Sequence, residues 1–383
     1  MTTAERSKAG LEDIVATSSA ICYLDGDRGV LAYCGYDIHD LARKATFEEV
    51  CYLLWHRRLP TRAELGDLQS QLVAARPLPE AVVRLIRQLP AGTGANGGMD
   101  LLRTLTSALG QYDPDTADNS PQANYRKAVR LTGQIGSIVA TMGRLDAGGG
   151  PIQPDPALGH AANFLYMLTG ERPGGLATRA FDIALILHAD HELNASTFAA
   201  RVAAATLTDI HSAIVAAIGT LKGPLHGGAN ADVMRMLLEI GKDAPVEKAE
   251  DVVRGKLARK VKIPGFGHRV YHTEDPRATH LRQMSKELTA KAGQPIWYEM
   301  SARIEQLVKS EKQLNPNVDF YSASTYYALG IPIDLFTPIF AVSRIAGWTA
   351  HVLEQYASNR LIRPRAEYIG PAYPQRYVSL ESR

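Results

Sequence analysis

Two helix-start signals follow one another in "ATFEEVCYLLWHRRLPTRAELGDLQSQL", and they constrain the fold more than any other feature of the chain. Thr46 with Glu49, and Thr61 with Glu64, form capping boxes, in which hydroxyl and carboxylate each satisfy a free backbone N–H of the first turn. Val50, Leu53 and Leu54 follow the first box at helical spacing, and Leu65, Leu68 and Leu72 the second. Pro60 is expected to end the first helix. The same period continues in "FDIALILHADH", with Phe181, Ala184, Leu185 and His188 on one face. It recurs in "ADVMRMLLEIG" and "VSRIAGWTAHVLEQ". The exception is "ICYLDGDRGVLAYCGY", which alternates loosely around Asp25-Gly26 and Arg28-Gly29 and reads as a hairpin. No regular alternation of strand and helix appears, so the expected class is mainly α with a small N-terminal β-hairpin. Loops are expected at "PAGTGANGGMD", at "DAGGGPIQPDPALG" and in the tail from Arg363. A chain of 383 residues suits two domains better than one core. The glycine cluster at Gly223 marks a plausible boundary.

Charge narrows the partner. Lys and Arg total 42 against 40 Asp and Glu, a net charge of +2. That is not the basic excess of a nucleic-acid protein, so a small-molecule partner is expected. Cys22, Cys34 and Cys51 have no CxxC spacing and read as free thiols of a reducing compartment. The N-terminus lacks the apolar core of a secretory signal, and no apolar run is long enough to span a bilayer. A soluble cytoplasmic protein is expected.

The chemistry concentrates in a few motifs. "KGPLHGGAN" sets His226 among glycines just before a helix, as if a ligand must approach both backbone and imidazole. "KIPGFGHRVYHTEDPR" repeats the theme at His268, where exposed N–H groups suit a flat or anionic ligand, and Arg277 follows Asp275-Pro276. "NPNVDFYSAS" sets Asp319 beside Val318, Phe320 and Tyr321. That setting suits either a base of raised pKa or a cap for the next helix. Arg344 and Arg363 flank the last helix, either as surface charge or as carboxylate clamps. "HADHE" offers His188, Asp190, His191 and Glu192, but in neither zinc-protease order. His188 reads as a satisfied core residue, whereas His191 sits where the helix ends and a polar ligand can meet it. "GTGANG" (Gly92, Gly94, Gly97) matches a dinucleotide fingerprint in letters only, because a helix and not a strand precedes it. It reads as a loop.

Taken together, these motifs resemble the citrate synthase family nearly end to end. The resemblance rests on "DHELNAST", "GPLHGGAN", "GFGHRVY" with "DPR", "NPNVDFYSA" and "FTPIFAVSRIAGWTAHVLEQ" in that order. It implies that His226, His268 and Asp319 are the catalytic trio. It implies that His191, Arg277, Arg344 and Arg363 bind oxaloacetate, with Arg363 reaching a partner subunit's site. Lys262, Ile263, Pro264, Gly265, Phe266 and Gly267 match the loop whose backbone recognises the adenine of coenzyme A. The implied fold is a two-domain helical one: a large domain over residues 1–220 and 331–383, and a small one over 221–330 that closes on substrate. No metal and no tightly bound cofactor is implied; a coenzyme A thioester enters as substrate. A homodimer is expected, and the short segment before the hairpin argues against a separate NADH-binding domain.

Two positions depart from the family pattern. Gly97-Gly98-Met99 stands where His-Pro-Met is common, and His272 stands where Lys or Arg is usual, which leaves the coenzyme A phosphate contacts open. The implied reaction condenses acetyl-CoA with oxaloacetate and hydrolyses the thioester. Asp319 would be the base, His226 would donate to the thioester oxygen, and His268 would polarise the ketone. The helix N-terminus after His226 would keep that imidazole neutral. The alternatives are 2-methylcitrate synthesis from propionyl-CoA, a metal-dependent hydrolase built on "HADHE", and a non-catalytic binding homologue. One methylene is worth only about 1–3 kcal/mol of discrimination, so the first rival leaves little trace in sequence.

Overall fold

The computed structural model describes residues 9–11, 14–89 and 97–383. Among them are sixteen α-helices and one small antiparallel sheet. Both capping boxes form, at the heads of the helices Phe47–His56 and Arg62–Ala75. The first helix ends at His56, before Pro60, because Arg57 takes up a left-handed conformation (φ 59°) and closes it with an N–H to the Leu53 carbonyl.

The expected hairpin gains a third strand. β1 (Cys22–Asp25) pairs with β2 (Val30–Tyr33), which pairs with β3 (Tyr36–Asp37). The two residues between β2 and β3 are Cys34 (φ 48°) and Gly35 (φ 86°), and positive φ at both matches the tight turn that right-twisted strands prefer. Gly92 and Gly94 of "GTGANG" lie outside the described residues. Gly97, Gly98 and Met99 are buried in the first turn of the Gly97–Tyr112 helix, so this part of the expected loop is helical. A Cβ on Gly98 would lie 3.1 Å from the Asp334 carbonyl oxygen, so the helix packs closely at that point.

The centre of the molecule is the 22-residue helix Phe336–Ala357. It packs against Pro121–Asp146, Ala195–Ala204, Ile210–Leu221, Phe47–His56 and Gly175–His188. The Gly175–His188 helix is buried on every face from Ala180 onward, not on one stripe as its periodicity suggested. Five helices between Ala229 and Ala328 pack mainly on one another. Their links to the rest include Pro276–Lys291, which meets Ile38–Lys44 and Gly175–His188, Val318–Ala328, which also meets Gly175–His188, and Ala229–Ile240, which meets the central helix. A cleft opens along that seam.

Candidate active site

One cavity of about 790 Å³ lies in the seam, and His191, His226, His268, Arg277, Asp319 and Arg344 all line it. They come from five separate stretches of chain. Gly267 also reaches the wall, but Lys262 to Phe266 do not; Ile263 and Gly265 are buried and Lys262 is exposed. Arg363 is exposed on the extended tail and does not line this cavity. Arg344 does not flank the last helix; it lies inside it.

The glycines around His226 serve the chain itself. A Cβ on Gly227 would lie 2.3 Å from the Leu221 carbonyl oxygen and 3.0 Å from Thr337, and Gly228 has φ 100° at the helix start. The turn is therefore tight for internal reasons as well, and Gly227 also lines the cavity. The imidazole is held from elsewhere. The Ser196 backbone N–H donates to His226 Nε2 at 3.3 Å, and the Ser196 hydroxyl lies 2.8 Å from the same nitrogen. An N–H can only donate, so Nε2 accepts and the neutral ring carries its proton on Nδ1. Ser196 is itself fixed by the Trp348 indole N–H at 3.1 Å and by Asn194 at 2.7 Å. Burial lowers the His226 pKa to about 4, helped by the charge of Arg344. The neutral state expected from a helix terminus thus has burial as its first cause.

His268 is held in the opposite sense. Its Nδ1 accepts from the N–H groups of Val270 (3.0 Å) and Tyr271 (3.2 Å), so its own proton sits on Nε2. Burial, then Arg277, lowers its pKa to about 4. The loop before it is tied to the "NPN" segment. Gly267 N–H donates to Asn315 O at 3.0 Å, Asn317 N–H to Gly265 O at 2.9 Å, and the Asn317 amide to Gly267 O at 2.9 Å. Gly265 has φ 79°, and a Cβ there would lie 2.9 Å from Phe320 and Val233. These bonds bring His268 beside Asp319.

Asp319 does not cap its helix. Asn317 does, accepting from the Asp319 N–H at 3.0 Å, and this leaves the carboxylate free. Burial raises its pKa to about 6, against the pull of Arg277. That value suits a general base near neutral pH.

The cations differ in how they are neutralised. Arg277 is buried in a two-pronged pair with Asp275, Nε to Oδ1 at 2.9 Å and Nη2 to Oδ2 at 2.8 Å. Burial alone would raise the Asp275 carboxyl, but Arg277 holds it below the usual range. Asp275 also caps the helix that begins Pro276-Arg277 and accepts from Val318 N–H at 3.1 Å. Arg344 is 1% exposed, donates through Nε to His188 O at 2.7 Å and lies 4.6 Å over the Phe340 ring. Among the described residues no carboxylate lies within ion-pair distance of it. Burial pushes its pKa down to about 10. A buried guanidinium without its own acid is a site for an anion. His191 bonds through Nε2 to Tyr271 Oη at 3.2 Å, and its ring centroid lies 5.2 Å from that of His268. Burial, then Arg277, depresses its pKa strongly.

The "HADHE" side chains take separate partners. His188 is a core residue but only half satisfied: Nδ1 lies 2.8 Å from Ala184 O, while Nε2 has no partner among the described residues. Asp190 turns to His351 at 3.3 Å, and Glu192 is exposed. They do not converge on one point. Sequence reading missed Ser196, Tyr271 and Asp275 as parts of the site. Asp275 was findable, since Asp-Pro ahead of a helical run is a cap signal. Ser196 had no local signal, because its partner is 30 residues away.

Residues 10–365 match the family model described as citrate synthase, C-terminal domain. A Bacillus subtilis protein named citrate synthase 2 is 54% identical over 374 residues, covering 98% of each chain. A Shewanella oneidensis protein named 2-methylcitrate synthase is 42% identical over 378 residues, covering 98% of each chain. A citrate synthase of Thermoplasma acidophilum, solved as a ternary complex with carboxymethyl coenzyme A and oxaloacetate, superposes with a TM-score of 0.89 at 33% identity. It spans 97% of this chain and 98% of that one.

Proposed function

Because the chain belongs to the citrate synthase family, we propose that it transfers the acetyl group of acetyl-CoA to oxaloacetate as an alkyl group, giving citrate and free coenzyme A. The observation that carries this reading is the convergence of three neutral or basic catalytic candidates and two buried guanidiniums on one cavity. Asp319 removes a proton from the thioester methyl group. His226 donates Nδ1–H to the thioester oxygen as negative charge develops there; a neutral imidazole matches an enol in acidity better than an imidazolium does. The new carbon nucleophile attacks the ketone of oxaloacetate, whose oxygen receives Nε2–H of His268. Water then cleaves the citryl thioester. Arg344 and Arg277 hold the substrate carboxylates, with His191 beside them.

The finer assignments belong to the same proposal. Residues 221–330 act as a small domain that closes over the substrates against 1–220 and 331–383, excluding water. The Lys262–Gly267 backbone recognises the adenine of coenzyme A. The protein works as a cytoplasmic homodimer in which Arg363 enters the partner's cavity; its exposure on an extended tail supports this. No resident metal or cofactor takes part. A second reading, 2-methylcitrate synthesis from propionyl-CoA, draws support from the relatives that bear that name. Thiol release with oxaloacetate tests both readings. A higher kcat/KM for acetyl-CoA than for propionyl-CoA is expected; the reverse order makes the second reading correct, and release with neither thioester removes both.

A further inference from the structure

The hairpin touches the chain just before His191 and just after His268. At one end, the Tyr33 hydroxyl is buried against the end of the Gly175–His188 helix. It lies 3.1 Å from Ile186 O and 3.0 Å from Asp190 O, and accepts the Asp190 N–H at 3.2 Å. Asp190 immediately precedes His191. At the other end, the turn between β1 and β2 packs against the loop that follows His268. There the Gly26 carbonyl accepts the His272 N–H at 3.0 Å. Three consecutive amides of that loop are thus divided: Val270 and Tyr271 donate to His268 Nδ1, and His272 donates to the hairpin.

The approach at Gly26 is closer than a side chain permits. A Cβ there would lie 1.9 Å from the Val270 carbonyl oxygen, a backbone atom that cannot swing aside. The contact uses the missing Cβ and not backbone freedom, since Gly26 has no left-handed φ. Gly29 does (φ 65°), and its Cβ would meet Thr273 at 2.9 Å. The turn is internally braced: Asp25 Oδ1 accepts from the N–H groups of Asp27 (3.1 Å) and Arg28 (2.9 Å). His272 meets Asp27 at 2.7 Å, but both side chains are largely exposed, so that pair adds little. It does turn the imidazole to the hairpin at the position where the family usually carries a cation.

We propose that the turn between β1 and β2 is a backstop that holds His268 in register with His191, and that Gly26 is a positioning residue for the condensation. Any displacement of the Val270–His272 backbone removes the donors to His268 Nδ1. The ring is then free to take the other tautomer and lose the Nε2–H that faces the substrate. Reactions of this kind are sensitive to shifts on the order of 1 Å in such a group. The inference rests on the functional reading above, and its test separates the two.

The test compares Gly26→Ala and Asp25→Ala with the wild type for kcat, KM of each substrate and amide hydrogen exchange over residues 268–272. Gly26→Ala is expected to lower kcat by about 10- to 100-fold. The KM for acetyl-CoA should hold, and exchange of the loop amides should quicken. Asp25→Ala, which only unbraces the turn, should give a smaller loss of the same kind, and it decides the matter if Gly26→Ala does not fold. Wild-type kcat and wild-type exchange in the folded variants overturn the backstop. An inactive wild type whose loop exchange still responds to the variants counts against the reaction and not against the backstop.

Discussion

The turn at His226 and the loop at His268 both end glycine-rich stretches, both line the cavity, and burial lowers the pKa of both imidazoles to about 4. They differ in the source of the hydrogen bond that fixes the ring. His226 accepts at Nε2 from Ser196, thirty residues earlier, and presents Nδ1–H. His268 accepts at Nδ1 from the two amides just beyond it and presents Nε2–H. The protonation state is thus set alike by burial, while the tautomer is set by whichever donor occupies the other nitrogen. Two similar motifs therefore supply two differently aimed N–H donors on one cavity.

The comparison is broken most completely by removing Asp319, the base proposed above. Asp319→Ala is expected to lower kcat by about 10³-fold or more, and His226→Ala by about 10²–10³-fold. Oxaloacetate binding, read by calorimetry, should persist in each. Near-normal turnover in Asp319→Ala would falsify the base assignment.

A smaller effect should follow from pH. Asp319 acts as a base only when ionised, and its pKa is raised to about 6, whereas the two histidines are already neutral above about 4. The acid limb of kcat/KM should therefore fall through about pH 6, with roughly a tenfold loss by pH 5. A limb that persists unchanged in a residually active Asp319 variant would assign it to another group.

Ser196→Ala separates the two histidines. It removes the hydroxyl beside His226 Nε2, whose proton goes to Asn194 Oδ1, and leaves the backbone N–H that donates to the ring. A loss of about 3- to 10-fold in kcat is expected, with little change in the KM for oxaloacetate. No single side-chain truncation does the same to His268, whose donors are both main chain. Equal damage to thioester and oxaloacetate binding would show that Ser196 supports the whole site instead.

The mildest test is of stability. Folding raises the Asp319 pKa from 3.8 to about 6, so folding favours its protonated form. Its favourable contribution is complete below pH 3.8 and is lost as pH rises through 6; above that the buried carboxylate weighs against the fold. Asp319→Asn should therefore raise the melting temperature at pH 8, by an amount worth roughly 3 kcal/mol. The gain should fade toward pH 4. A melting temperature below the wild type's at pH 8 would mean the carboxylate is stabilised by contacts that the amide cannot replace.

Much of this was legible along the chain. Both capping boxes, the helical periods, the hairpin and six of the cavity-lining side chains follow from local pattern or motif. Local chemistry suffices there, because a cap reaches three residues and an amphipathic face repeats every turn. The sequence misled where a glycine or an acid had two uses. The glycines at Gly227 and Gly265 have close internal neighbours in Leu221, Phe320 and Val233, which no local pattern records. Asp319 seemed a possible cap, yet Asn317 takes that duty.

By itself, then, the sequence picked out six residues that line one cavity, and the helices and turns that carry them. Only the tertiary structure decided that Ser196 meets His226, that Arg344 is buried without an acid of its own, and that the hairpin backs the His268 loop. The physical reason is range. Burial, which sets charge, and the Ser196 amide, which sets the His226 tautomer, involve atoms tens to hundreds of residues apart in sequence, and no periodicity records them.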